Sequence, residues 1–346
     1  MSKPTKGRSD MRSDLLKNLF QAYAESDNDN FIRAANEIIR DEERKKHGLL
    51  AKNLKDIISA APQSTFKSNA LSKRYKTNIP IPRDTEKGFP LLEIKDQYYN
   101  LDDVILSDEL EIQIRYIIKD LKSSELLRKY GLRPKQKILF CGPPGTGKTL
   151  SSKVISSVIG FPLVYVRFDS IVSSFLGETA TNLRKIFDFI NQGEWVVLFD
   201  EFDIIGKRRD DPYEHGEIKR VVNNFMQMLD GFEGKSLLIA ATNHEHLLDS
   251  AIWRRFDDIL YFDLPDAVRR RKLFDKYLRV MSRSDDLNLT GFVDLTEGFS
   301  AADIAQICEE ALRRIIVNNN NKYIKNEDID WAINQQKRKR DIIKEK

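Results

Sequence analysis

Apolar residues recur along the chain with different spacings, which predict helices in some segments and buried strands in others. Over residues 1–60 they return every three or four positions, which predicts a small helical N-terminal domain. One such run is Phe31, Ile32, Ala35, Ile38 and Ile39. Residues 61–97 lack this period and are interrupted by prolines, so this stretch is interpreted as a linker.

Short apolar runs then alternate with helical patterns over residues 98–266. The five strand candidates are KILFC (137–141), LVYVRF (163–168), WVVLFD (195–200), SLLIAAT (236–242) and ILYFDL (259–264). Nearly continuous apolar strands with helices between them are typical of a parallel sheet covered on both faces, so an α/β domain is predicted. Residues 267–346 return to a helical pattern and predict a separate C-terminal helical domain.

Composition and charge exclude several classes of protein. The 57 Lys and Arg residues nearly balance 53 Asp and Glu residues, and the net charge of +4 is too small to indicate nucleic acid or a membrane. Apolar runs fall far short of the ~20 residues of a membrane span, and we expect no signal peptide. The only cysteines, Cys141 and Cys308, exclude a disulfide framework and favour a cytoplasmic location. The four histidines lack the spacing of a zinc protease.

The strongest chemical signal is the segment GPPGTGKT, which directly follows the first of these strands. It matches the G-x-x-x-x-G-K-[ST] phosphate-binding loop in the required strand–loop–helix context. Glycines let the backbone aim N–H groups at phosphate oxygens, and the following helix adds its positive end. Lys148 is expected to reach the β- and γ-phosphates, and the Thr149 hydroxyl is expected to bind Mg²⁺. The expected nucleotide-binding residues are Gly142, Pro143, Pro144, Gly145, Thr146, Gly147, Lys148, Thr149, Leu150 and Asp200.

Two acidic residues end the third strand, in VVLFDEFD (196–203). The strand carries Asp200 to the edge of the sheet beside the phosphate loop, where we expect it to hold Mg²⁺. Glu201 is the candidate base that polarises an attacking water, and this acidic pair indicates hydrolysis of ATP. Asn243, after the fourth strand, is placed to hold the same water, although an ordinary turn is the alternative.

Together these motifs resemble the AAA ATPase family of the AAA+ P-loop NTPases, over residues 98–340. The resemblance implies an AAA+ module with a helical lid at 267–346, ATP and Mg²⁺ as cofactors, and a ring, expected to be a hexamer. It also implies that Asn243 is the residue called sensor 1. GFSAADIAQICEEALRRI (298–315) resembles the opening of the family's lid helix, with Ala301 in place of glycine.

Adjacent arginines lie where the family carries arginine fingers that contact the γ-phosphate bound by a neighbouring subunit. The family's Arg-Pro-Gly-Arg-Phe-Asp is shortened here to Arg-Arg-Phe-Asp, similar to the form in katanin and spastin. Arg255 is the favoured contact and Arg254 the alternative. Arginines that are merely solvated at a helix end are the structural alternative for both.

The segment SSFLGET (173–179) is similar to the pore loop of protein-translocating relatives, an aromatic–hydrophobic–Gly sequence. Phe175, Leu176 and Gly177 are therefore expected to bind the substrate polypeptide. Physically, an aromatic ring beside a flexible glycine can intercalate between side chains of any sequence. The alternative is a Phe175 that packs inward as a core residue.

The resulting hypothesis is a cytoplasmic ATPase that remodels, unfolds or threads a protein substrate. The overall likeness is to stand-alone bacterial AAA ATPases with a short helical N-terminal domain. Some of these are encoded beside a subtilisin-like protease, which suggests such a partner in trans. Residues 1–60 are expected to dock a partner or substrate, with a packing appendage as the alternative.

Two other classes of function stay open. The first is a DNA-acting motor or loader, for which the basic run KRKR at 337–340 is a feature; a solvated helix end is the simpler interpretation. The absence of a recognition motif argues against nucleic acid as the main partner. The second is a scaffold whose nucleotide state controls the binding of partners.

Overall fold

The protein is described here by a computed structural model, which covers residues 35, 37–39, 41, 79–84, 88–166, 179–202, 215–244, 248, 250–318 and 323–344. The chain divides into two units, Met1–Asn78 and Ile79–Lys346. In the first unit the described residues are helical, and Ala35 and Ile39 are buried. They lie four positions apart and therefore share one face of the helix. The rest of the expected N-terminal domain lies outside the described residues.

The second unit contains a six-stranded sheet. Its strands are β1 (Leu92–Lys95), β2 (Lys137–Cys141), β3 (Leu163–Val166), β4 (Val196–Phe199), β5 (Leu237–Thr242) and β6 (Asp258–Tyr261). Their order across the sheet is β1-β3-β4-β5-β2-β6. Strand β1 pairs antiparallel with β3, and the remaining pairings are parallel. The parallel α/β fold that the sequence predicts is therefore confirmed.

Strand β1 differs from the sequence prediction, which had five strands and assigned residues 92–95 to a linker. Leu91 and Leu92 are buried in the core beneath the sheet, and Leu92 pairs with Val166 of β3. Only four residues long and placed at an edge, the strand shows too little alternation to stand out from the prolines before it. The interpretation of residues 61–97 as a linker is thus wrong for this strand.

Helices cover both faces of the sheet. They are α1 (Asp108–Lys122), α2 (Ser124–Lys129), α3 (Lys148–Ile159), α4 (Thr179–Asn191), α5 (His215–Asp230) and the short α6 (Ser250–Trp253). Successive strand residues enter opposite cores: Phe140 and Leu198 pack with α1 and α3, whereas Leu139 and Val197 pack with α4 and α5. Because both faces are covered, strands β2 to β5 are apolar along most of their length, whereas the edge strands β1 and β6 also carry polar or exposed residues.

The C-terminal part is helical, as predicted, and has a hydrophobic core of its own. Its helices are α7 (Ala267–Tyr277), α8 (Leu289–Leu295), α9 (Ala301–Val317) and α10 (Asn326–Lys344). A short parallel pair, β7 (Ser282–Arg283) with β8 (Tyr323–Ile324), joins the segments between these helices and was not predicted. Ser300 caps α9 and forms a capping box with Asp303.

The structure also shows the surroundings of the two cysteines and of the basic run at 337–340. Cys141 and Cys308 are both buried and are not joined by a disulfide, and burial raises the pKa of the Cys308 thiol to about 12. The guanidinium carbon of Arg340, in the basic run, lies 4.3 Å from the centroid of the Phe299 ring, and a terminal nitrogen donates to the carbonyl of Gly298 at 3.0 Å. Arg340 therefore contributes to the lid structure, whereas Arg338 and Lys339 of the same run are exposed, as a solvated helix surface would be. No helix in the described ranges is long and apolar enough to cross a bilayer.

Candidate active site

The backbone of the loop between β2 and α3 adopts conformations that require glycine. Gly142 and Gly145 have φ values of 131° and 76°, in the left-handed region that side chains disfavour. A Cβ on Gly142 would lie 2.2 Å from the carbonyl oxygen of Phe262, and one on Gly145 would lie 2.6 Å from Oγ of Ser300. Both conformation and space therefore exclude side chains at these two positions.

Helix α3 begins directly at this loop. Its N-cap, Gly147, has a φ of 106° and supplies no side-chain hydrogen bond to the first turn. The free N–H groups of a helix N-terminus and the positive end of its dipole favour an anion. The glycine loop and this uncapped helix start together form a cradle that fits the phosphates of a nucleotide.

Lys148 is folded back over the loop. Its Nζ donates to the carbonyl oxygens of Gly142 at 2.6 Å and Pro143 at 2.8 Å, and the residue is only 7% exposed. The hydroxyl of Thr146 also donates to the Pro143 carbonyl, at 2.8 Å. A buried positive charge is thereby held against the phosphate cradle, where it strengthens attraction for an anion.

Asp200 lies one residue beyond β4 and accepts hydrogen bonds on both carboxylate oxygens. Oδ2 accepts from the Thr149 hydroxyl at 2.9 Å and from the Tyr165 hydroxyl at 3.1 Å. Oδ1 accepts from the backbone N–H of Glu201 at 3.0 Å. The structure thus brings together Thr149 and Asp200, as the sequence analysis expects for two ligands of one Mg²⁺. Hydroxyl and carboxylate oxygens are a donor set that suits this ion.

Tyr165 is a site residue that the sequence analysis did not single out. It lies in the middle of β3, where a hydroxyl within an otherwise apolar strand was the only signal. Burial, followed by the charge of Asp200, raises the pKa of the Tyr165 phenol above its ordinary value. The phenol is consequently protonated at neutral pH and available as a hydrogen-bond donor.

Glu201 has an unusual backbone and an exposed side chain. Its φ of 52° places a non-glycine residue in the left-handed region, which costs on the order of 1 kcal/mol. The turn is held from both sides, because Asp200 accepts the N–H of Glu201 and the N–H of Phe202 donates to the carbonyl of Ala241 at 2.9 Å. Phe202 is also fully buried. The protein therefore holds this glutamate in one backbone conformation.

Asn243 reaches the same edge of the sheet. It follows β5, which lies between β2 and β4, and Thr242 of β5 pairs with Cys141 of β2. The half-buried Asn243 therefore lies level with Gly142, at the carboxyl ends of the strands that carry the phosphate loop and Asp200. The structure groups these elements as the sequence analysis expects for open α/β sheets.

The two candidate finger residues differ in their surroundings. Arg255 donates through Nε to the Asp230 carboxylate at 2.9 Å and through a terminal nitrogen to the Ala251 carbonyl at 2.7 Å. Arg254 is exposed, while the adjacent Phe256 is buried and anchors the segment. Arg255 is thus directed at the end of α5 and not at the phosphate loop of its own chain. No pattern in the sequence indicates the contact between Asp230 and Arg255.

The lid contacts the phosphate loop directly. The N–H of Ala302, in the first turn of α9, donates to the carbonyl of Gly145 at 3.0 Å. On another side of the lid, Nζ of Lys276 donates to the carbonyl of Asp102 at 3.1 Å and also to that of Asp103. Burial lowers the pKa of Lys276, with partial compensation by the charge of Asp103. Through these contacts the lid is connected to the backbone of the phosphate loop and to that of the turn at Leu101–Asp103.

The expected pore loop belongs to a part of the chain that the structure does not describe. Phe175, Leu176 and Gly177 lie outside the described residues, which resume at Thr179 with α4. Their assignment to substrate binding therefore stays a prediction.

Known proteins resemble this chain over the regions that form the site. A family profile for the ATPase family associated with various cellular activities (AAA) matches residues 138–264, and an AAA+ lid domain profile matches residues 286–331. An uncharacterized AAA family ATPase, y4kL of Sinorhizobium fredii, is 36% identical over 330 residues, which cover 95% of this chain and 96% of that protein. The chain belongs to the AAA ATPase family. The first profile spans the phosphate loop, Asp200, Asn243 and both arginines, and the second spans the lid contact at Ala302.

Further relatives of this AAA ATPase carry a more specific name. The proteasome-activating nucleotidase of Saccharolobus solfataricus is 36% identical over 250 residues, covering 68% of this chain and 64% of that protein. The nucleotidase of Sulfurisphaera tokodaii is 32% identical over 287 residues, covering 80% and 72%. The chain thus spans about two thirds of the length of these nucleotidases.

A solved structure supports the fold. The crystal structure of the FIGL-1 AAA domain superimposes with a TM-score of 0.58 at 24% identity, covering 70% of this chain and 85% of that domain. At this identity the likeness shows the fold alone.

Proposed function

We propose that this AAA ATPase hydrolyses Mg²⁺-bound ATP at the interfaces of a ring and uses the energy to unfold or thread a protein substrate. The observation that carries the hydrolytic part is the hydrogen bond of 2.9 Å between Thr149 and Asp200 at the phosphate cradle, with Glu201 next in the chain. The mechanical part is supported by the similarity to nucleotidases that are named for activating a proteasome.

Each residue of the cradle has a distinct part in the proposed reaction. Lys148 and the loop amides hold the β- and γ-phosphates of ATP, while the Thr149 hydroxyl and Asp200 carboxylate bind the metal. Mg²⁺, when bound, withdraws negative charge from the phosphate oxygens. The Glu201 carboxylate accepts a hydrogen bond from the attacking water and takes up its proton, and the Asn243 amide orients that water.

The site is completed by a neighbouring subunit in this proposal. Arg255, or Arg254 beside it, contacts the phosphate bound by the next subunit and stabilises the charge that develops on the transferred group. Such an arrangement makes hydrolysis depend on assembly, and a hexameric ring is the form we propose. The orientation of Arg255 away from the cradle of its own chain is consistent with action across an interface.

The protein substrate is proposed to pass the pore loop at 175–177 and to be delivered to a separate protease. A subtilisin-like enzyme acting in trans is the partner we propose. A cytoplasmic location fits these partners and remains part of the proposal.

Polymer-stimulated ATP hydrolysis tests the class of substrate. A permanently unfolded, carboxymethylated protein is expected to raise the rate of hydrolysis, measured by release of phosphate, whereas single-stranded DNA is not. Stimulation by DNA that declines steeply with salt would instead identify a DNA motor. Turnover that responds to neither polymer would favour the nucleotide-gated scaffold.

Phe175→Ala is expected to abolish unfolding and stimulation by unfolded protein while the basal rate of hydrolysis survives. The change removes the aromatic grip, whereas Phe175→Trp preserves a broad apolar face and should keep most of the activity. Unfolding is measured as the loss of fluorescence of a tagged fluorescent protein substrate. Phe225→Ala, at a buried core position, is the reference for structural damage, expected to cost about 3–5 kcal/mol. If Phe175→Ala lowers the melting temperature as Phe225→Ala does, the pore-loop role is wrong.

Removal of residues 1–78 is expected to leave basal hydrolysis largely intact and to abolish coupling to the partner. The cut lies at the division between the two units, so strand β1 and the whole sheet are retained. Hydrolysis and partner-dependent degradation are measured in parallel. A truncated chain that neither assembles nor hydrolyses ATP would show that the N-terminal domain is structural.

A further inference from the structure

We infer that Tyr165 is a positioning residue of the metal site, whose hydroxyl holds the Asp200 carboxylate in place beside Thr149. This inference rests on the proposed role of Asp200 in binding Mg²⁺. It extends that proposal to a residue that belongs to neither the phosphate-loop motif nor the acidic motif.

The register of the sheet brings the Tyr165 ring next to the Asp200 carboxylate. Tyr165 pairs with Leu198 in the neighbouring parallel strand, and Asp200 follows two positions later on the same face. The long side chain spans this step, and its hydroxyl donates to Oδ2 of Asp200 at 3.1 Å. The phenol thus approaches the carboxylate from the strand beside it.

Asp200 is consequently held by donors from different elements. The Thr149 hydroxyl, from α3, donates to the same Oδ2 atom at 2.9 Å, and the backbone N–H of Glu201 donates to Oδ1 at 3.0 Å. Rotation of the carboxylate about its terminal bond would break all these hydrogen bonds together. Without the phenol, Oδ2 depends on Thr149 alone among these donors, and that hydroxyl is the group expected to bind the metal as well.

The ring itself is restrained by its surroundings. Tyr165 is half-buried against the core on the α3 side of the sheet. On the edge strand, Glu93 is its partner in register, and Nζ of Lys95 lies 5.8 Å from the ring centroid. Glu93 and Lys95 form an ion pair of 2.7 Å with each other. A tyrosine so enclosed loses little further freedom when its hydroxyl binds the carboxylate.

An aspartate fixed in this way presents its remaining lone pairs in one direction. A carboxylate has about four acceptor positions; the three donors occupy two on Oδ2 and one on Oδ1, which leaves about one, on Oδ1, for a metal ion or a water bound to it. The Thr149 hydroxyl can continue to donate its hydrogen bond to Asp200 while its oxygen binds a metal, since a hydroxyl both donates and accepts. Tyr165 therefore acts on metal binding through Asp200, without being a ligand.

Tyr165→Phe tests the inference, because it removes only the hydroxyl. Affinity for Mn²⁺ is measured by electron paramagnetic resonance on the full chain with ATP, in a Glu201→Gln background. We expect the affinity for Mn²⁺ to fall about fivefold, the effect of losing one hydrogen bond worth about 1 kcal/mol. When Tyr165→Phe is made in the chain that retains Glu201, the Mg²⁺ concentration for half-maximal hydrolysis should rise by a larger factor than the factor by which the maximal rate falls.

Two control variants separate the possible failures. Tyr277→Phe removes the hydroxyl of a half-buried tyrosine in the lid and should leave the affinity for Mn²⁺ unchanged. Asp200→Asn should weaken Mn²⁺ binding more than Tyr165→Phe does. If Asp200→Asn has no effect, the proposed metal site is wrong. If Asp200→Asn weakens binding and Tyr165→Phe does not, or if Tyr165→Phe lowers only the melting temperature, the positioning role of Tyr165 is overturned.

Discussion

Glu201→Gln is expected to slow ATP hydrolysis by about two to four orders of magnitude while ATP still binds. The amide cannot take a proton from the attacking water, whereas Lys148, the Thr149 hydroxyl and the loop amides are unchanged. Single-turnover hydrolysis measures the loss, and a fluorescent ATP analogue measures the affinity. Because ATP persists in the site, assemblies should also elute earlier in size-exclusion chromatography.

The unusual backbone of Glu201 supplies a matched control. Asparagine adopts a φ near 52° more readily than most residues, so Glu201→Asn should lose hydrolysis to the same extent without a lower melting temperature. This comparison separates the chemistry of the carboxylate from the conformation of the turn. A loss of ATP affinity in Glu201→Gln as large as that in Lys148→Ala would contradict the role proposed for Glu201.

Arg255→Ala is expected to lower turnover by about three orders of magnitude without weakening ATP binding to the same subunit. A guanidinium that acts across the interface stabilises charge only while the phosphoryl group is transferred. The side chain is also paired with Asp230 at 2.9 Å, but both partners are partly exposed, so the pair contributes at most about 1 kcal/mol to folding. The melting temperature should therefore change little, which is checked by calorimetry.

Mixing of two inactive variants makes the test specific to action across the interface. In rings of Arg255→Ala and Glu201→Gln subunits, some interfaces join an intact Glu201 to an intact Arg255, so part of the activity should return. The same mixture with Arg254→Ala in place of Arg255→Ala is the matched comparison. If activity returns only in the mixture with Arg254→Ala, Arg254 and not Arg255 is the residue that acts across the interface. If co-assembled rings recover no activity, a trans-acting Arg255 is excluded.

Much of the fold was predictable because its signals are local. The strand predicted at 137–141 coincides with β2, and the bounds of the other parallel strands differ from those of the predicted runs by at most three residues. Strands β2 to β5 are buried on both faces, so their apolar character is nearly continuous in the sequence. Strand β1 escaped prediction because an edge strand pairs on one side only, and its polar Glu93 and Lys95 are compatible with a linker.

The parts of the site that one short segment encodes could be predicted from the amino-acid sequence. The phosphate loop is such a part, because its glycines, Lys148 and Thr149 follow a strand and begin a helix within a few residues. The acidic turn is another, because Asp200 and Glu201 end a recognisable buried strand. Their meeting was also foreseeable, since parallel strands bring their carboxyl ends to one edge of the sheet.

The other side chains that support this site could be identified only from the packing of the folded chain. The hydroxyl of Tyr165 meets Asp200 across 35 positions in the sequence, and Asp230 meets Arg255 across 25. Ala302 of the lid reaches the phosphate loop at Gly145 from a different part of the chain altogether. Each contact depends on strand register, on a helix end or on the docking of the lid, and none of these leaves a periodic or spacing signal in the residues involved. A hydrogen bond is short-ranged and directional, so its partners become evident only when the packing of distant elements has set the distance between them.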